Sequence, residues 1–176
     1  TVSSDYVKLA TQSLDATGLA SVEFQNCFSS ANDALYGGYV LHAYYQNNGG
    51  GSGFVARYMS GTNTEISGSN DYSKAGVEGY IQTNNASNST GGANDGDGRN
   101  NMDFDNWGLN SSNNHQEGNY VVVNFQGSIY SSDTARNCIV NASMRDYSSP
   151  NYIVGALKAY RYLGSTNITG IKFYVS

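Results

Sequence analysis

The fold is decided between Gly118 and Ser176, where three long runs alternate in polarity: Asn119-Tyr-Val-Val-Val-Asn-Phe-Gln-Gly-Ser-Ile-Tyr130, Arg136-Asn-Cys-Ile-Val-Asn-Ala-Ser-Met-Arg145 and Tyr152-Ile-Val-Gly-Ala-Leu-Lys-Ala-Tyr-Arg-Tyr-Leu163. A fourth run, Ile168-Thr-Gly-Ile-Lys-Phe-Tyr-Val175, closes the stretch. A period of two gives one apolar face and one wettable face, which is typical of a half-buried β-strand. Turn-forming residues separate the runs, so the stretch predicts an antiparallel sheet.

Shorter β-rich runs precede this stretch. Strands are expected within Leu19–Phe28 and Val77–Gln82, and Asn32–Gly38 is expected to be a loop or a single helical turn. Gly38–Tyr45 has β-forming residues on both faces, which predicts a central position in a sheet. The Gly-rich segment after it predicts a hairpin with Phe54–Met59.

Composition fits one folded all-β domain over residues 1–176. Only 13% of the residues are charged, and the 21 Gly and 15 Tyr indicate many turns and a Tyr-rich interior. Tyr supplies apolar area while its hydroxyl finds a polar partner. The regular strand spacing, the Gly-rich hairpins and the single Pro predict a jelly-roll-like antiparallel β-sandwich.

Residues 83–119 differ from the rest of the chain. Thr83–Asn101 is almost entirely Asn, Ser, Gly and Asp, and it is followed by the apolar island Met102–Leu109. Loops of this length are uncommon in compact domains and are usually functional or disordered. We therefore expect a long polar loop excursion that the island pins to the body of the sandwich.

Two acidic pairs in this excursion are the candidate metal ligands. Asp95, Asp97, Asp103 and Asp105 form two Asp-x-Asp units, which would suit an oxygen-ligated cation such as Ca²⁺. The spacing lacks the Gly and Glu of an EF-hand loop. The alternative is that these are ordinary loop residues, and no cofactor other than Ca²⁺ is expected.

Charge and motifs exclude several function classes. A net charge of −5 with nine scattered Lys and Arg residues argues against nucleic acid, which requires a basic face. No long apolar run or leader is present, so neither a membrane span nor a signal peptide is expected. The chain has no nucleophile elbow, phosphate loop or paired cleft carboxylates, and we predict that it is not an enzyme.

Two cysteines, Cys27 and Cys138, lie within apolar runs. A free Cys in such a run behaves as a small buried hydrophobic residue, so buried thiols are favoured over one disulfide. Two thiols and two distant His residues do not have the spacing of a zinc site.

Two segments carry a resemblance to a known group of proteins. Gly155-Ala-Leu-Lys-Ala-Tyr-Arg-Tyr-Leu-Gly-Ser-Thr-Asn-Ile-Thr-Gly-Ile-Lys-Phe-Tyr174 resembles the C-terminal signature of virion surface proteins from marine tailed bacteriophages, including cyanophages. Val22-Glu-Phe-Gln-Asn-Cys-Phe-Ser-Ser30 resembles their N-terminal entry strand. The two segments cover about thirty residues by direct count.

The resemblance implies a non-enzymatic structural protein on the outside of a phage particle. A tail-fibre or receptor-binding domain, a capsid decoration protein and a free carbohydrate-binding module are the three roles considered. The partners implied are other virion proteins and a host cell-surface glycan. Virion proteins of this kind commonly form homotrimers, so a homotrimer is also expected.

The expected subunit contact lies in the run Tyr152–Leu163. Tyr160 and Tyr162 share one face of this strand, while Leu157, Ala159 and Leu163 share the other. Aliphatic residues are scarce, so we expect the leucine-bearing face in the core and the two Tyr residues at the subunit interface. Burying a Tyr-covered face between subunits would exclude water from the rings.

Overall fold

The computed structural model describes residues 7–11, 21–45, 54–82, 88–91, 96–104, 119–131, 136–146 and 152–175. Two antiparallel sheets pack as a β-sandwich, as the alternating runs predicted. Within these residues a single short helix, α1 (Ser30–Leu35), interrupts the strands. The more specific jelly-roll connectivity stays a prediction.

The smaller sheet has four strands in the order β1-β11-β3-β7. All of its pairings are antiparallel. Its strands are β1 (Ser21–Phe24), β3 (Phe54–Met59), β7 (Met102–Asp103) and β11 (Gly170–Val175).

The larger sheet has seven strands in the order β2-β8-β9-β10-β4-β5, and β6 also pairs with β4. The meander β8-β9-β10 confirms the antiparallel arrangement predicted for the three long C-terminal runs. Its strands are β2 (Gly38–Tyr45), β4 (Tyr72–Gln82), β5 (Asn88–Gly91), β6 (Gly96–Arg99), β8 (Asn119–Gln126), β9 (Arg136–Asp146) and β10 (Tyr152–Tyr162).

Two predictions for β2 are wrong. Among the described strands β2 is at the edge of the larger sheet, paired with β8, and β3 lies in the other sheet. The chain therefore crosses from the larger sheet to the smaller one between β2 and β3, and the two strands do not form a hairpin. β-forming residues on both faces of a strand do not show whether it has a neighbouring strand on each side. In β2 the apolar residues of the outer face, Val40 and Tyr44, are exposed to solvent.

Parts of the predicted excursion at 83–119 form strands. It contains β5, β6 and β7, and β5 and β6 add to the edge of β4 through backbone pairing. Backbone hydrogen bonds do not require large side chains, so an Asn- and Gly-rich segment can pair in this way. Met102 and Phe104 are fully buried, so the described part of the apolar island packs into the sandwich. Residues 83–87, 92–95 and 105–118 lie outside the described residues.

Tyrosine forms a large part of the core between the sheets. The Tyr72 ring packs against Tyr58 and Tyr162 at centroid distances of 6.0 and 5.8 Å. The Tyr72 hydroxyl donates to the Ile66 carbonyl at 3.0 Å and accepts from the Tyr58 N–H at 2.9 Å. Each buried ring thus contributes apolar area, while the hydroxyl of Tyr72 is satisfied within the protein.

Candidate functional site

The two sheets present very different outer faces. On the smaller sheet, the Lys172 ammonium lies 3.0 Å from the Glu23 carboxylate and 2.8 Å from the Glu65 carboxylate. The Arg57 guanidinium also lies 2.8 Å from Glu65. Hydrogen bonds from Lys172 and Arg57 hold the pKa of Glu65 below its ordinary value. This face is therefore a network of opposite charges that neutralise one another.

The outer face of the larger sheet, called here the large-sheet face, is largely uncharged. It is formed by the side chains that alternate with the buried ones along β2, β4, β8, β9 and β10. Its described side chains are Val40, His42, Tyr44, Ser73, Ala75, Val77, Tyr120, Val122, Asn124, Gln126, Asn137, Ile139, Asn141, Ser143, Leu157, Ala159 and Arg161.

Large apolar side chains on this face are exposed. Tyr44 is 76% exposed, and Val77 and Leu157, which are paired directly across β4 and β10, are 55% and 48% exposed. Val77 with Leu157 and Tyr44 with Tyr120 form two exposed apolar pairs on one face, and exposed apolar patches can mark an interaction site. It makes the large-sheet face the strongest candidate for a functional surface.

An aromatic cluster occupies one end of the face. Tyr44 and Tyr120 are cross-strand partners on β2 and β8. The His42 ring stacks against Tyr120 with centroids 6.1 Å apart and an interplanar angle of 28°. His42 Nδ1 and the Tyr120 hydroxyl are 2.6 Å apart, a hydrogen bond that fixes the orientation of both rings. The cluster is thus a preorganised aromatic platform.

A hollow of about 680 Å³ lies toward the other end of the face. Ala75, Ile139 and Ala159 contribute small or aliphatic side chains to its lining, and Gln126 and Arg161 contribute polar ones. The remaining lining residues are Ser73, Lys74, Asn137, Cys138 and Tyr160. The hollow therefore combines an apolar floor with amide, hydroxyl and guanidinium groups.

Charge on this face is sparse and of one sign. Arg161 is its one Lys or Arg among the described side chains, and Asp and Glu are missing from that same set. Arg161 is exposed and has no ion-pair partner in the described part of the chain. On a protein of net charge −5, this face could accept a neutral or anionic partner.

The predicted subunit contact placed Tyr160 and Tyr162 on the outer side of β10 and Leu157, Ala159 and Leu163 in the core. This assignment of the two sides is wrong. Tyr160 and Tyr162 are 2% and 5% exposed and lie in the core. Leu157 and Leu163, expected inside, are about half exposed, and Ala159 is exposed as well.

The reason lies in polar partners within the core. The Tyr160 hydroxyl hydrogen-bonds to the backbone carbonyl of Asp103 and lies 3.1 Å from its carboxylate. Lys158, on the same side of β10, donates to the Asp103 carbonyl at 3.2 Å. A buried acid on β7 therefore satisfies the polar groups of β10 and lets this side of the strand face inward.

The predicted metal ligands have different outcomes. Asp95 and Asp105 lie outside the described residues, and for Asp97 only the backbone in β6 is described. Asp103 is buried, with Lys74 Nζ 3.3 Å and an Arg99 guanidinium nitrogen 3.6 Å from its carboxylate. In the described part of the chain this carboxylate is surrounded by cations, and Ca²⁺ binding stays a prediction.

Electrostatics agree with an ionised Asp103. Burial acts to raise the pKa of its carboxyl, but the positive charges of Lys74, Lys158 and Arg99 outweigh burial and hold the pKa below its ordinary value. The network Lys74–Asp103–Lys158–Tyr160 is enclosed between the sheets, with each of these residues at most 5% exposed. We interpret it as a structural network that joins β7 to β4 and β10.

Both cysteines are free thiols, as predicted. Burial raises the pKa of Cys27 and of Cys138 to about 12, so both stay protonated and are poor nucleophiles at neutral pH. Cys27 lines a cavity of about 860 Å³ between residues 7–11, β1, α1 and β2. That cavity offers apolar walls but no activated thiol.

Sequence reasoning missed the large-sheet face. In β8 and β9 the signal was partial, because the buried Val121, Val123 and Val140 alternate with Tyr120 and Asn141 but also with the aliphatic Val122 and Ile139. The sequence of β10 did not show which of its two sides faces the core, because Tyr and Lys on one side alternate with Leu and Ala on the other. Choosing the wrong side of β10 hid Arg161, Leu157 and Ala159 from the list of surface residues.

Searches beyond the chain add no functional assignment. No helix in the described ranges is long and apolar enough to cross a membrane. Over the same ranges, no group of three or more His, Cys, Asp or Glu side chains could hold a metal ion. Comparisons with protein-family models, curated proteins and solved structures found no match.

Proposed function

We propose that the chain is a non-enzymatic structural protein on the outside of a bacteriophage particle, where it serves as a tail-fibre or receptor-binding domain. The observation that carries the binding role is the large-sheet face, which exposes aromatic and aliphatic side chains without the ion pairs that cover the smaller sheet. The virion location is supported by the resemblance of the C-terminal and N-terminal segments to phage surface proteins.

The segments that carry the resemblance lie in both layers of the fold. The C-terminal segment contributes most of β10 to the larger sheet and most of β11 to the smaller one. The N-terminal segment overlaps β1, which pairs with β11. The resemblance therefore falls on strands that build the sandwich, whereas the large-sheet face is shaped mainly by β2, β4, β8 and β9 together with β10.

Capsid decoration is the second candidate. The described residues form one sandwich and include no elongated stalk of the kind that a fibre requires, which favours a decoration protein. In that role the large-sheet face would pack against the capsid. A free carbohydrate-binding module is the third reading, and it differs by having no association with particles.

Immunogold labelling of purified particles separates these roles. We expect label at the tail fibres and the protein in the mass spectrum of the particles. Label spread over the capsid would transfer the assignment to decoration. Absence from particles, or soluble protein in uninfected cells, would end the virion proposal.

A further inference from the structure

We propose that the large-sheet face binds an acidic glycan, with a carboxylated sugar in the hollow beside Arg161 and a further sugar on the aromatic platform of Tyr44 and Tyr120. This inference rests on the proposed receptor-binding role and specifies its ligand. It is carried by the shape of the hollow, the charge of the face and the exposure of the two rings.

The hollow has the chemistry of a sugar site. It has a volume of about 680 Å³ and is more open than enclosed, so a sugar would lie against the sheet with its outer side in solvent. A pyranose ring presents apolar C–H groups on its faces and hydroxyls around its rim. Ala75, Ala159 and Ile139 suit the C–H groups, while the amides of Gln126 and Asn137 can both donate to and accept from hydroxyls.

Arg161 selects an acidic ligand. Its planar guanidinium matches a carboxylate in bidentate geometry, and it has no ion-pair partner in the described part of the chain. The described side chains of this face include no carboxylate that would repel a sugar acid. The carboxylates of Glu23 and Glu65 are paired on the opposite side of the sandwich.

The aromatic platform extends the site. Tyr44 and Tyr120 are six residues along their strands from Gly38 and Gln126, which is about 20 Å at the rise of a β-strand. Tyr120 is 44% exposed, so both rings leave surface for the apolar face of a sugar. A glycan chain, and not a single sugar, spans the two ends.

A second copy of the chain fits the face less well. In a two-fold contact the same patch lies on both subunits. Burying the large-sheet face against itself would desolvate Arg161 without offering it a carboxylate from the described side chains of that face. A glycan acid supplies the missing counter-charge.

The test measures binding of the whole chain to an array of oligogalacturonates and alginate oligosaccharides, with dextran and β-glucan oligomers as neutral probes. We expect binding to at least one acidic probe, weakened about tenfold or more by Arg161→Gln, because a charged hydrogen bond is lost. Tyr44→Ala should also weaken it. Arg57→Gln removes the same charge from the smaller sheet and should leave binding unchanged.

Several outcomes would overturn the inference. These are no binding to any acidic probe, equal binding to the neutral probes, or a loss of binding that Arg57→Gln reproduces. Self-association that Arg161→Gln abolishes would assign the face to a second copy instead. Circular dichroism of each variant checks that it is folded. Particle labelling is independent, so a protein found on fibres that binds no acidic glycan would contradict this inference and leave the proposed function standing.

Discussion

Asp103 determines which side of β10 faces the core. It is a buried acid on a two-residue strand, and it receives Lys74, Lys158 and Tyr160 from two strands of the opposite sheet. A rule that places Leu inside and Lys and Tyr outside fails wherever a buried carboxylate supplies partners. The spacing in β10 was readable from the sequence, but the partner lies 55 residues away from Lys158 along the chain. No local pattern reveals such a contact.

The Tyr160 hydroxyl should contribute to stability through Asp103. We expect Tyr160→Phe to lower the free energy of unfolding by about 1–2 kcal/mol, because hydrogen bonds at a buried site are lost. Tyr162→Phe is the matched control, since the Tyr162 hydroxyl has no hydrogen-bond partner in the described part of the chain while its ring keeps its contact with Arg136. Urea denaturation of both variants measures the difference. Equal losses in the two variants would contradict the role given to Asp103.

The lowered pKa of the Asp103 carboxyl predicts that the free energy of unfolding decreases at acidic pH. Its pKa is lower in the folded protein than the ordinary value of 3.8, so its contribution is present above about pH 4 and is lost as the pH falls through the folded pKa. Asp103→Asn removes the negative charge that Asp103 places beside the buried ammonium groups and should cost about 3–5 kcal/mol at pH 7. The free energy of unfolding of Asp103→Asn should also depend less on pH in the acidic range than that of the parent chain. Urea midpoints between pH 7 and pH 2 test both effects.

Glu65→Gln is the control for that experiment. Glu65 pairs with Lys172 and Arg57 on the surface of the smaller sheet, where its side chain is 26% exposed. Surface pairs contribute less than about 1 kcal/mol. If Glu65→Gln destabilised the protein as much as Asp103→Asn, the buried network would have no special weight.

The positions of most strands were predictable from the sequence, but the strands with which they pair were not. The four C-terminal runs became β8, β9, β10 and β11 with small changes at their ends. Alternation identifies a strand without stating which sheet it joins. β2 and β3 therefore looked like a hairpin although they lie in different sheets. In the same way, β5 and β6 have little side-chain signal, because their pairing with β4 uses the backbone.

Two glycines on neighbouring strands test the packing of the larger sheet. A Cβ added at Gly76 would lie 2.8 Å from the Leu157 carbonyl oxygen and 2.9 Å from the Lys158 Cα. A Cβ at Gly155 would meet nothing within 4 Å. We expect Gly76→Ala to lower the free energy of unfolding by about 1–3 kcal/mol, because backbone must shift, and Gly155→Ala to change it by less than about 0.5 kcal/mol. Thermal denaturation measures both, and a tolerated Gly76→Ala would contradict the strand register described here.

In the described part of the molecule, the smaller sheet has a self-neutralised outer face and the larger sheet has an exposed outer face with little charge. Sequence reasoning predicted a sandwich with Tyr at an interface, but it assigned the interface to rings that are buried. Among the described side chains of the larger sheet, the exposed tyrosines are Tyr44 and Tyr120. Distinguishing them from Tyr160 and Tyr162 required the pairing of β10 with β4 and β9, which is set by contacts distant in sequence.

Subunit assembly is predicted to leave the large-sheet face free. The resemblance to phage surface proteins implies a homotrimer, so we expect sedimentation to give a trimer for the parent chain. The double variant Tyr44→Ala/Leu157→Asn should give the same result if the large-sheet face binds a receptor and not another subunit. A parent chain that sediments as a monomer would remove the homotrimer proposal. A double variant that becomes monomeric while the parent is trimeric would make this face a subunit interface and not a receptor site.

We propose that the large-sheet face points outward on a phage particle, where it binds a receptor. Cryo-electron microscopy of intact particles tests it most directly, because it locates the sandwich and shows which sheet is covered. We predict density for the domain on the tail fibres, with Tyr44, Leu157 and Arg161 facing away from the particle. Density on the particle in which those three residues pack against another virion protein would contradict the claim.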